Sequence, residues 1–373
     1  MTHTQEKLFG TYLQMSTAEL TSRIAKSKRR LGTALRILGH HYERDEVIQF
    51  ADVTGDSLNL SQYAAECKDA RYIVFCGVHF MAESADILST PEQTVILPNL
   101  RAGCGMAEMA DEAAVATAME EVMAMAEGKV VPVTYVNSTA AIKALTARHG
   151  GACCTSSNVR NVFAWALAPA AEGGAGAERI FAIPDQHLGR NTAVAMGYAE
   201  DDCVMYDTAR PNGGLAAEQV RKARFILWNG FCHVHQLFQP HHVTIVRQKH
   251  PGIRVIVHPE CSRQVVALAD QAGSTEQIIR AVESAPPGSS WAVGTESNMV
   301  SRLARRNPDR LVRLLGDSPV ICWQMHLIDP PHLAWVLDNL AAGQVVNQVS
   351  VPTDVAEQAR VALRRMIEIK AAM

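Results

Sequence analysis

The sequence predicts an α/β fold built from three similar αβα domains with small parallel sheets. Short apolar runs, typical of buried strands, alternate along the chain with segments whose apolar residues recur at helical spacing. The same order of parts occurs three times, which indicates a repeat of domain size within the 373 residues. We place an N-terminal helical arm at 1–34, the three domains at 35–113, 114–240 and 241–330, and a C-terminal helical tail at 331–373.

The first block follows a predicted amphipathic helix at about 17–31, where Leu20, Ile24 and Leu31 lie on one face. The block is predicted to contain strands at 37–39, 72–77 and 94–98, and helices at 45–51, from 58 past 65, and at 82–88. Its last strand leads into a loop that carries Cys104 between two glycines.

The second and third blocks repeat this alternation. The second is predicted to contain strands at 130–135, 152–155, 179–183 and 225–228, helices at 138–147 and through 167, and a mobile Ala/Gly-rich insertion at 168–178. The third is predicted to contain strands at 253–257, 291–293 and 320–322. Its predicted helices are one at 262–272, a second that begins near residue 274, and a basic third helix whose solvated face is the run 302–313. Tail helices are expected at 333–340 and 355–369.

Polar residues and cysteines recur at matching places in the three blocks. Strand ends carry His40 and Tyr42, Tyr135 and Asn137, and His258 and Glu260, while a second set of strand ends carries His79, Asp185-Gln186 and Thr295-Glu296. Helices open at Ser57, Ser156 and Ser274-Thr275, and apolar strands end at Cys104, Cys232 and Cys322. Ligands bind beyond the carboxyl ends of parallel strands. If the three sheets face one centre, these residues form one pocket.

The three cysteines, one per block, are candidate metal ligands. Soft thiolates select zinc or an iron–sulfur cluster over magnesium or calcium. A [4Fe–4S] cluster takes four cysteines, so three would leave one iron open to act as a Lewis acid. No CxxC occurs, and we expect the remaining cysteines to be core residues or thiols without function: Cys67, Cys76, Cys153, Cys154, Cys203 and Cys261.

Two further groups of side chains are candidates for binding and proton transfer. The hydroxyls at helix starts are either plain N-caps or parts of anion sites, because free amides and the helix dipole attract phosphate or carboxylate. The candidate proton carriers are Tyr42, Tyr135, His258 and Glu260. An HxH pattern on a strand or loop can bind zinc, but we expect the histidine cluster that contains it to lie near the surface: His233, His235, His241 and His242.

Composition argues against several classes of protein. The net charge of −3 gives no electrostatic case for nucleic acid. No apolar run of about 18 residues predicts a membrane helix. The first seven residues lack the apolar core of a signal peptide, so we expect a reducing cytoplasm. Neither a Walker motif nor a strand-linked GxGxxG occurs, which argues against a P-loop NTPase and an ordinary NAD-binding domain.

Motifs in a fixed order run from about residue 35 to the C-terminus. They read Gly39-His-His-Tyr, Gly55-Asp-Ser57, Phe75-Cys-Gly-Val-His-Phe-Met-Ala-Glu83, Leu100-Arg-Ala-Gly-Cys104, Tyr135-Val-Asn-Ser138, Cys154-Thr-Ser-Ser-Asn158, Pro184-Asp185 with Leu188-Gly189, Trp228-Asn-Gly-Phe-Cys232, and His258-Pro-Glu260 with Gly273-Ser-Thr275. Together they resemble the quinolinate synthase family.

The resemblance implies three αβα domains around a pseudo-threefold axis and a [4Fe–4S] cluster on Cys104, Cys232 and Cys322, with one open iron. It implies a condensing transferase that joins iminoaspartate (iminosuccinate) and dihydroxyacetone phosphate into quinolinate, with release of phosphate and water, for NAD biosynthesis. It also implies a functional link to an aspartate oxidase or dehydrogenase, while the net charge and the apolar pattern predict no nucleic-acid or membrane partner.

The resemblance also assigns roles to site residues. Implied catalytic residues are Tyr42, Tyr135, His258 and Glu260. Implied substrate contacts are His40, Ser57, Tyr135, Val136, Asn137, Ser156, His258, Pro259, Glu260, Ser274 and Thr275.

Two alternatives remain open from the residues. One is another iron–sulfur lyase of the hydratase type, which would act on a different hydroxy acid. The other is a non-catalytic zinc-binding or redox-sensing protein, which would be colourless and would tolerate Glu260→Gln.

Overall fold

The computed structural model describes residues 9–369 and is α/β, as predicted. The first seven residues, on which the expectation of no signal peptide depends, lie outside the described residues. The strands are β1 Leu35–His40, β2 Val53–Gly55, β3 Tyr72–Cys76, β4 Thr94–Ile96, β5 Val130–Tyr135, β6 Ala152–Cys154, β7 Arg179–Ile183, β8 Cys203–Tyr206, β9 Phe225–Trp228, β10 Arg254–Val257, β11 Gln271–Ala272, β12 Ser290–Gly294, β13 Leu311–Leu314 and β14 Gln348–Val349.

Helices follow most strands, which is the alternation that the sequence predicts. They are α1 Thr17–Leu31, α2 Asp45–Ile48, α3 Ser57–Glu66, α4 His79–Leu88, α5 Gly105–Glu108, α6 Glu112–Met125, α7 Ala140–Arg148, α8 Val159–Leu167, α9 Gln186–Ala195, α10 Ala217–Lys222, α11 His233–Gln236, α12 Pro240–Lys249, α13 Arg263–Leu268, α14 Thr275–Glu283, α15 Ser297–Arg306, α16 Trp323–His326, α17 Pro330–Ala341 and α18 Thr353–Glu368. Within residues 9–369, none of them is both long and apolar enough to cross a bilayer.

The strands form three small sheets, in the orders β14-β4-β3-β1-β2, β6-β5-β7-β9-β8 and β11-β10-β12-β13. Neighbouring strands are parallel except for β14, which runs antiparallel to β4. The central strands are buried on both faces, as all-parallel sheets require. The predicted fold class is therefore confirmed, while the pseudo-threefold arrangement stays a prediction.

The chain divides into two compact units. The first contains the β1–β4 sheet with β14, and the second contains the other two sheets. In the first unit α1 packs on α17, and Asp338 accepts hydrogen bonds from Ser27 Oγ at 2.5 Å and Arg23 at 2.7 Å. In the second unit α18 packs on α7 and β6. The boundaries of the three αβα domains stay a prediction.

The end of the third block differs from the prediction. The basic run 302–313 was expected on one helix face, but α15 ends at Arg306 and residues 311–314 form β13. Pro308 explains the break, because proline lacks an amide donor and disfavours helix in the residue before it. Residues 320–322, predicted as a strand, lie outside any strand.

Two further details of the second block differ. Strand β8 was not predicted, because it is an edge strand on which Val204 and Met205 remain partly exposed. The segment 168–178 is folded rather than loose: the amides of Ala175 and Ala177 donate to the carbonyls of Trp165 and Ala166 at 3.0 and 2.8 Å. Both alanines are buried against the sheet.

Candidate active site

The three candidate cysteines share one local structure. Each immediately precedes a helix of four residues, namely α5 after Cys104, α11 after Cys232 and α16 after Cys322. A longer helix, α6, α12 or α17, begins eight residues after each cysteine. The cysteines were expected at strand ends, but the preceding strands stop earlier, at Ile96, Trp228 and Leu314. The internal repeat is therefore a cysteine at the start of a short helix.

Burial separates these three cysteines from the other six. Cys104, Cys232 and Cys322 are half-buried, whereas Cys67, Cys76, Cys153, Cys154, Cys203 and Cys261 are buried. Burial raises the pKa of Cys153 to about 12 and that of Cys203 to about 11, which disfavours the thiolate needed for metal binding. The three half-buried thiols are therefore the better candidates for metal ligands.

The loop that carries Cys232 is held by the end of β7. Asp185 caps α9 with Oδ1, which accepts from the Leu188 amide at 2.6 Å, and its Oδ2 accepts from the Cys232 amide at 3.2 Å. The Gln186 amide donates to the Gly230 carbonyl at 2.9 Å. A side chain at Gly230 would place its Cβ 2.3 Å from the Pro184 carbonyl oxygen, so only glycine fits this approach.

Gly230→Ala should therefore lower the free energy of unfolding by about 1–3 kcal/mol, because the backbone must move to relieve the overlap. Denaturant unfolding measures this change. Gly316→Ala is the matched control, since its Cβ would meet only His242 at an ordinary 3.7 Å. Equal stability of the two variants would contradict the packing described for the loop.

Glu260 lies at the centre of a buried polar cluster in the second unit. Its Oε2 is 2.6 Å from His235 Nδ1 and 3.4 Å from His258 Nδ1, and all three side chains are at most 3% exposed. The two imidazole rings stack with centroids 4.3 Å apart. The Tyr135 hydroxyl also hydrogen-bonds this carboxylate. The carboxyl ends of β5 and β10 therefore meet, as the position of the polar strand ends suggested.

The outer nitrogens of both rings contact hydroxyls. His258 Nδ1 accepts from the Glu260 amide at 3.3 Å, which assigns the proton to Nε2 and makes Nε2 the donor to Ser156 Oγ at 3.1 Å. His235 Nε2 is 3.1 Å from Thr295 Oγ1. A continuous polar chain therefore runs from Ser156 through Glu260 to Thr295.

Electrostatics fixes the protonation of the central groups. Burial alone would raise the pKa of Glu260, but His258 and His235 beside it hold that pKa below its usual value. Burial, together with His235, lowers the pKa of His258 to about 3, so this ring is neutral at pH 7. Burial and the charge of Glu260 raise the pKa of Asp185 well above its usual value. The site thus contains an ionised carboxylate beside a neutral imidazole.

The expectation that the histidine cluster lies near the surface is wrong for His235. It is 1% exposed and contacts Glu260 directly. It occupies the third position after Cys232, where Ala107 and Met325 are buried in the other two repeats. Comparing the three cysteine segments by position shows that His235 is polar where the other two repeats carry an apolar residue.

The predicted helix-start hydroxyls have different roles. Ser274 is a true N-cap with a capping box to Gln277, and its Oγ also accepts from Ser157 Oγ at 2.8 Å. Ser156 lies before α8, whose N-cap is Asn158, and instead contacts His258. Thr275 is buried at the first position of α14. Ser156 is therefore not the N-cap of α8, which was one of its two predicted roles.

Val136 and Asn137 follow β5 directly. Val136 is buried, and its amide donates to the Cys154 carbonyl at 2.8 Å. Asn137 Oδ1 is buried and has no hydrogen-bond partner among residues 9–369. A buried acceptor of this kind is a candidate contact for a bound ligand.

The predicted catalytic and substrate-binding residues of the first unit are His40, Tyr42 and Ser57. His40 ends β1 and stacks edge-on against Tyr42, with ring centroids 4.7 Å apart, and its Nδ1 accepts from the Tyr42 amide at 3.2 Å. Ser57 is the first residue of α3, and Asp56 is the N-cap that accepts from the Asn59 amide at 3.0 Å. Because Asp56 caps the helix, the hydroxyl of Ser57 is not needed for that role.

Comparison with known sequences gives the same family over nearly the whole chain. Residues 22–368 match the family model described as NadA: Quinolinate synthetase A protein. The chain is 52% identical over 363 residues to the quinolinate synthase of Acidobacterium capsulatum, covering 96% of this chain and 95% of that protein. It is 50% identical over 357 residues to that of Anoxybacillus flavithermus (96% and 95% covered) and 47% over 367 residues to that of Bacillus velezensis (98% and 98% covered).

Proposed function

Because the chain belongs to the quinolinate synthetase A family, we propose that it condenses iminoaspartate with dihydroxyacetone phosphate to quinolinate, phosphate and water in NAD biosynthesis. The observation that carries the proposal is the buried Glu260 between two imidazoles at the ends of parallel strands. Forming the pyridine ring requires proton transfers and dehydration, and this cluster contains groups suited to both.

Charge and hydrogen bonding account for substrate binding. The two substrates bring carboxylates and a phosphate, which suit amides and hydroxyls near helix starts. Ser156, Ser274 and Thr275 lie at or just before such starts, and Asn137 Oδ1 offers a buried acceptor. We propose these residues as contacts of the second unit, and His40, Ser57 and Tyr42 as those of the first.

Proton transfer is assigned to the central cluster. The ionised Glu260 accepts a proton from the substrate, and Tyr135 and His235 stabilise its charge through their contacts with the carboxylate. Neutral His258 donates from Nε2 to Ser156 Oγ and so orients that hydroxyl, whose own proton can be donated to a substrate oxygen. Tyr42 is the proposed proton carrier of the first unit.

A [4Fe–4S] cluster held by Cys104, Cys232 and Cys322 would supply a Lewis acid through its iron without a protein ligand. The accessible thiols of these three residues, against six buried ones, support this assignment. A cytoplasmic location and supply of iminoaspartate by an aspartate oxidase or dehydrogenase complete the proposal.

An anaerobic assay tests the reaction. The protein, reconstituted with iron and sulfide, is given dihydroxyacetone phosphate and iminoaspartate formed in place from oxaloacetate and ammonia. Quinolinate and inorganic phosphate should appear in equal amounts. Intact cluster without quinolinate, or dehydration of another hydroxy acid instead, would favour the hydratase alternative.

A further inference from the structure

We propose that Cys232, His235 and Glu260 form a binding site for one Zn²⁺ ion when the protein lacks its iron–sulfur cluster. The sulfur, nitrogen and oxygen donors of these residues all lie within 4.8 Å of one another. All three belong to the second unit, so the site needs no residue from the first.

The donor set matches the preferences of zinc. Zinc takes thiolate, imidazole and carboxylate ligands, and three protein ligands with one open position are typical of reactive zinc sites. A thiolate and a carboxylate together carry two negative charges, which balance those of the ion. His235 Nδ1 and Glu260 Oε2 are 2.6 Å apart and would separate to about 3.4 Å, the spacing of two tetrahedral ligands of zinc.

Each ligand residue is held in place by a second contact. Asp185 Oδ2 accepts from the Cys232 amide at 3.2 Å, and Thr295 Oγ1 lies 3.1 Å from His235 Nε2, which leaves Nδ1 directed at the site. Asn191 donates to the carbonyls on both sides of Glu260, those of Pro259 at 2.8 Å and Cys261 at 2.9 Å. Such outer contacts orient the ligands of metal sites and tune their affinity.

One carboxylate oxygen of Glu260 also supports a bound cation at this site. Glu260 Oε1 is buried and has no hydrogen-bond partner among residues 9–369. Buried acceptors without partners are rare and often mark an ion or water. A bound cation beside this carboxylate would satisfy the atom.

Zinc and the cluster would exclude each other, a consequence that rests on the proposed function. Both need the Cys232 thiolate, and zinc would also occupy Glu260, the proposed proton acceptor. Zinc-loaded protein should therefore neither accept a cluster nor form quinolinate until the zinc is removed by a chelator.

The test measures zinc and iron separately on the full-length chain. Cluster-free protein is dialysed anaerobically against Zn²⁺, and bound metal is counted by elemental analysis; Co²⁺ serves as a second probe, because a cobalt–thiolate band reports Cys232. One zinc per chain is expected. Cys104→Ala and Cys322→Ala should keep the zinc but lose the cluster, whereas His235→Ala should lose the zinc but still assemble the cluster.

Two further variants test whether zinc binding depends on the contacts around His235. Thr295→Val should weaken zinc binding about 10–100-fold while leaving one site per chain, since it removes only an outer contact. The exposed His241→Ala is the matched histidine control and should bind zinc normally. Loss of zinc in Cys104→Ala or Cys322→Ala, or full retention in His235→Ala, would overturn the proposal. Absence of quinolinate from cluster-loaded protein would overturn the proposed function instead and leave the zinc result standing.

Discussion

Replacing Cys104, Cys232 or Cys322 by alanine is expected to abolish the proposed iron–sulfur cluster. Wild-type protein reconstituted under argon should be brown, with about four irons per chain. Each single variant should fall to background iron, because two thiolates cannot hold a cluster that has no fourth protein ligand to replace the lost one. Iron and sulfide analysis with an absorption spectrum measures this directly.

The matched control is a buried cysteine. Cys67→Ala and Cys203→Ala should retain full iron content, since neither sulfur is accessible and burial keeps Cys203 protonated. Thermal unfolding of the cluster-free variants separates loss of ligand from loss of fold. A full cluster in any of the three ligand variants would show that the ligand assignment is wrong.

Glu260→Gln is expected to lower the rate of quinolinate formation by about 10²–10⁴-fold, the usual contribution of a general acid or base. The amide keeps the shape of the side chain but cannot accept a proton, and it leaves His235 and His258 without their shared anion. Steady-state kinetics on cluster-loaded protein should show the loss mainly in kcat, because the proposed role of the carboxylate is to take a proton from the reacting substrate.

Glu283→Gln provides the control, since it makes the same change on an exposed position of α14 and should leave kcat unaltered. Iron content must be equal in both variants for the comparison to hold. Near wild-type kcat in Glu260→Gln would favour the non-catalytic alternative, which tolerates this substitution.

Much of the fold follows from local sequence patterns. Strands β5, β7 and β9 begin and end where their apolar runs predict, because a strand buried on both faces needs an uninterrupted apolar segment. The amphipathic helix α1 also has its predicted limits, with Ser16 and Glu19 forming a capping box at its start. Prediction fails at β8 and β13, edge strands whose partial exposure removes that signal.

The residue types of the candidate site and the family of the chain follow from the sequence alone. The sequence singled out Cys232, His258 and Glu260 because these residues end or follow apolar strands in repeated blocks. It could not rank the nine cysteines by accessibility, since burial depends on which segments pack together.

The contact between His235 and Glu260 becomes apparent only in the folded protein. The sequence neighbours of His235 include other histidines, and local patterns placed the whole cluster near the surface. In the fold His235 is enclosed at 1% exposure and lies 2.6 Å from a carboxylate 25 positions away in the chain. Burying an ionised carboxylate is costly unless partners compensate it, so the carboxyl end of β10 and the helix after Cys232 had to meet. Such long-range compensation is a property of packing, which no local pattern records.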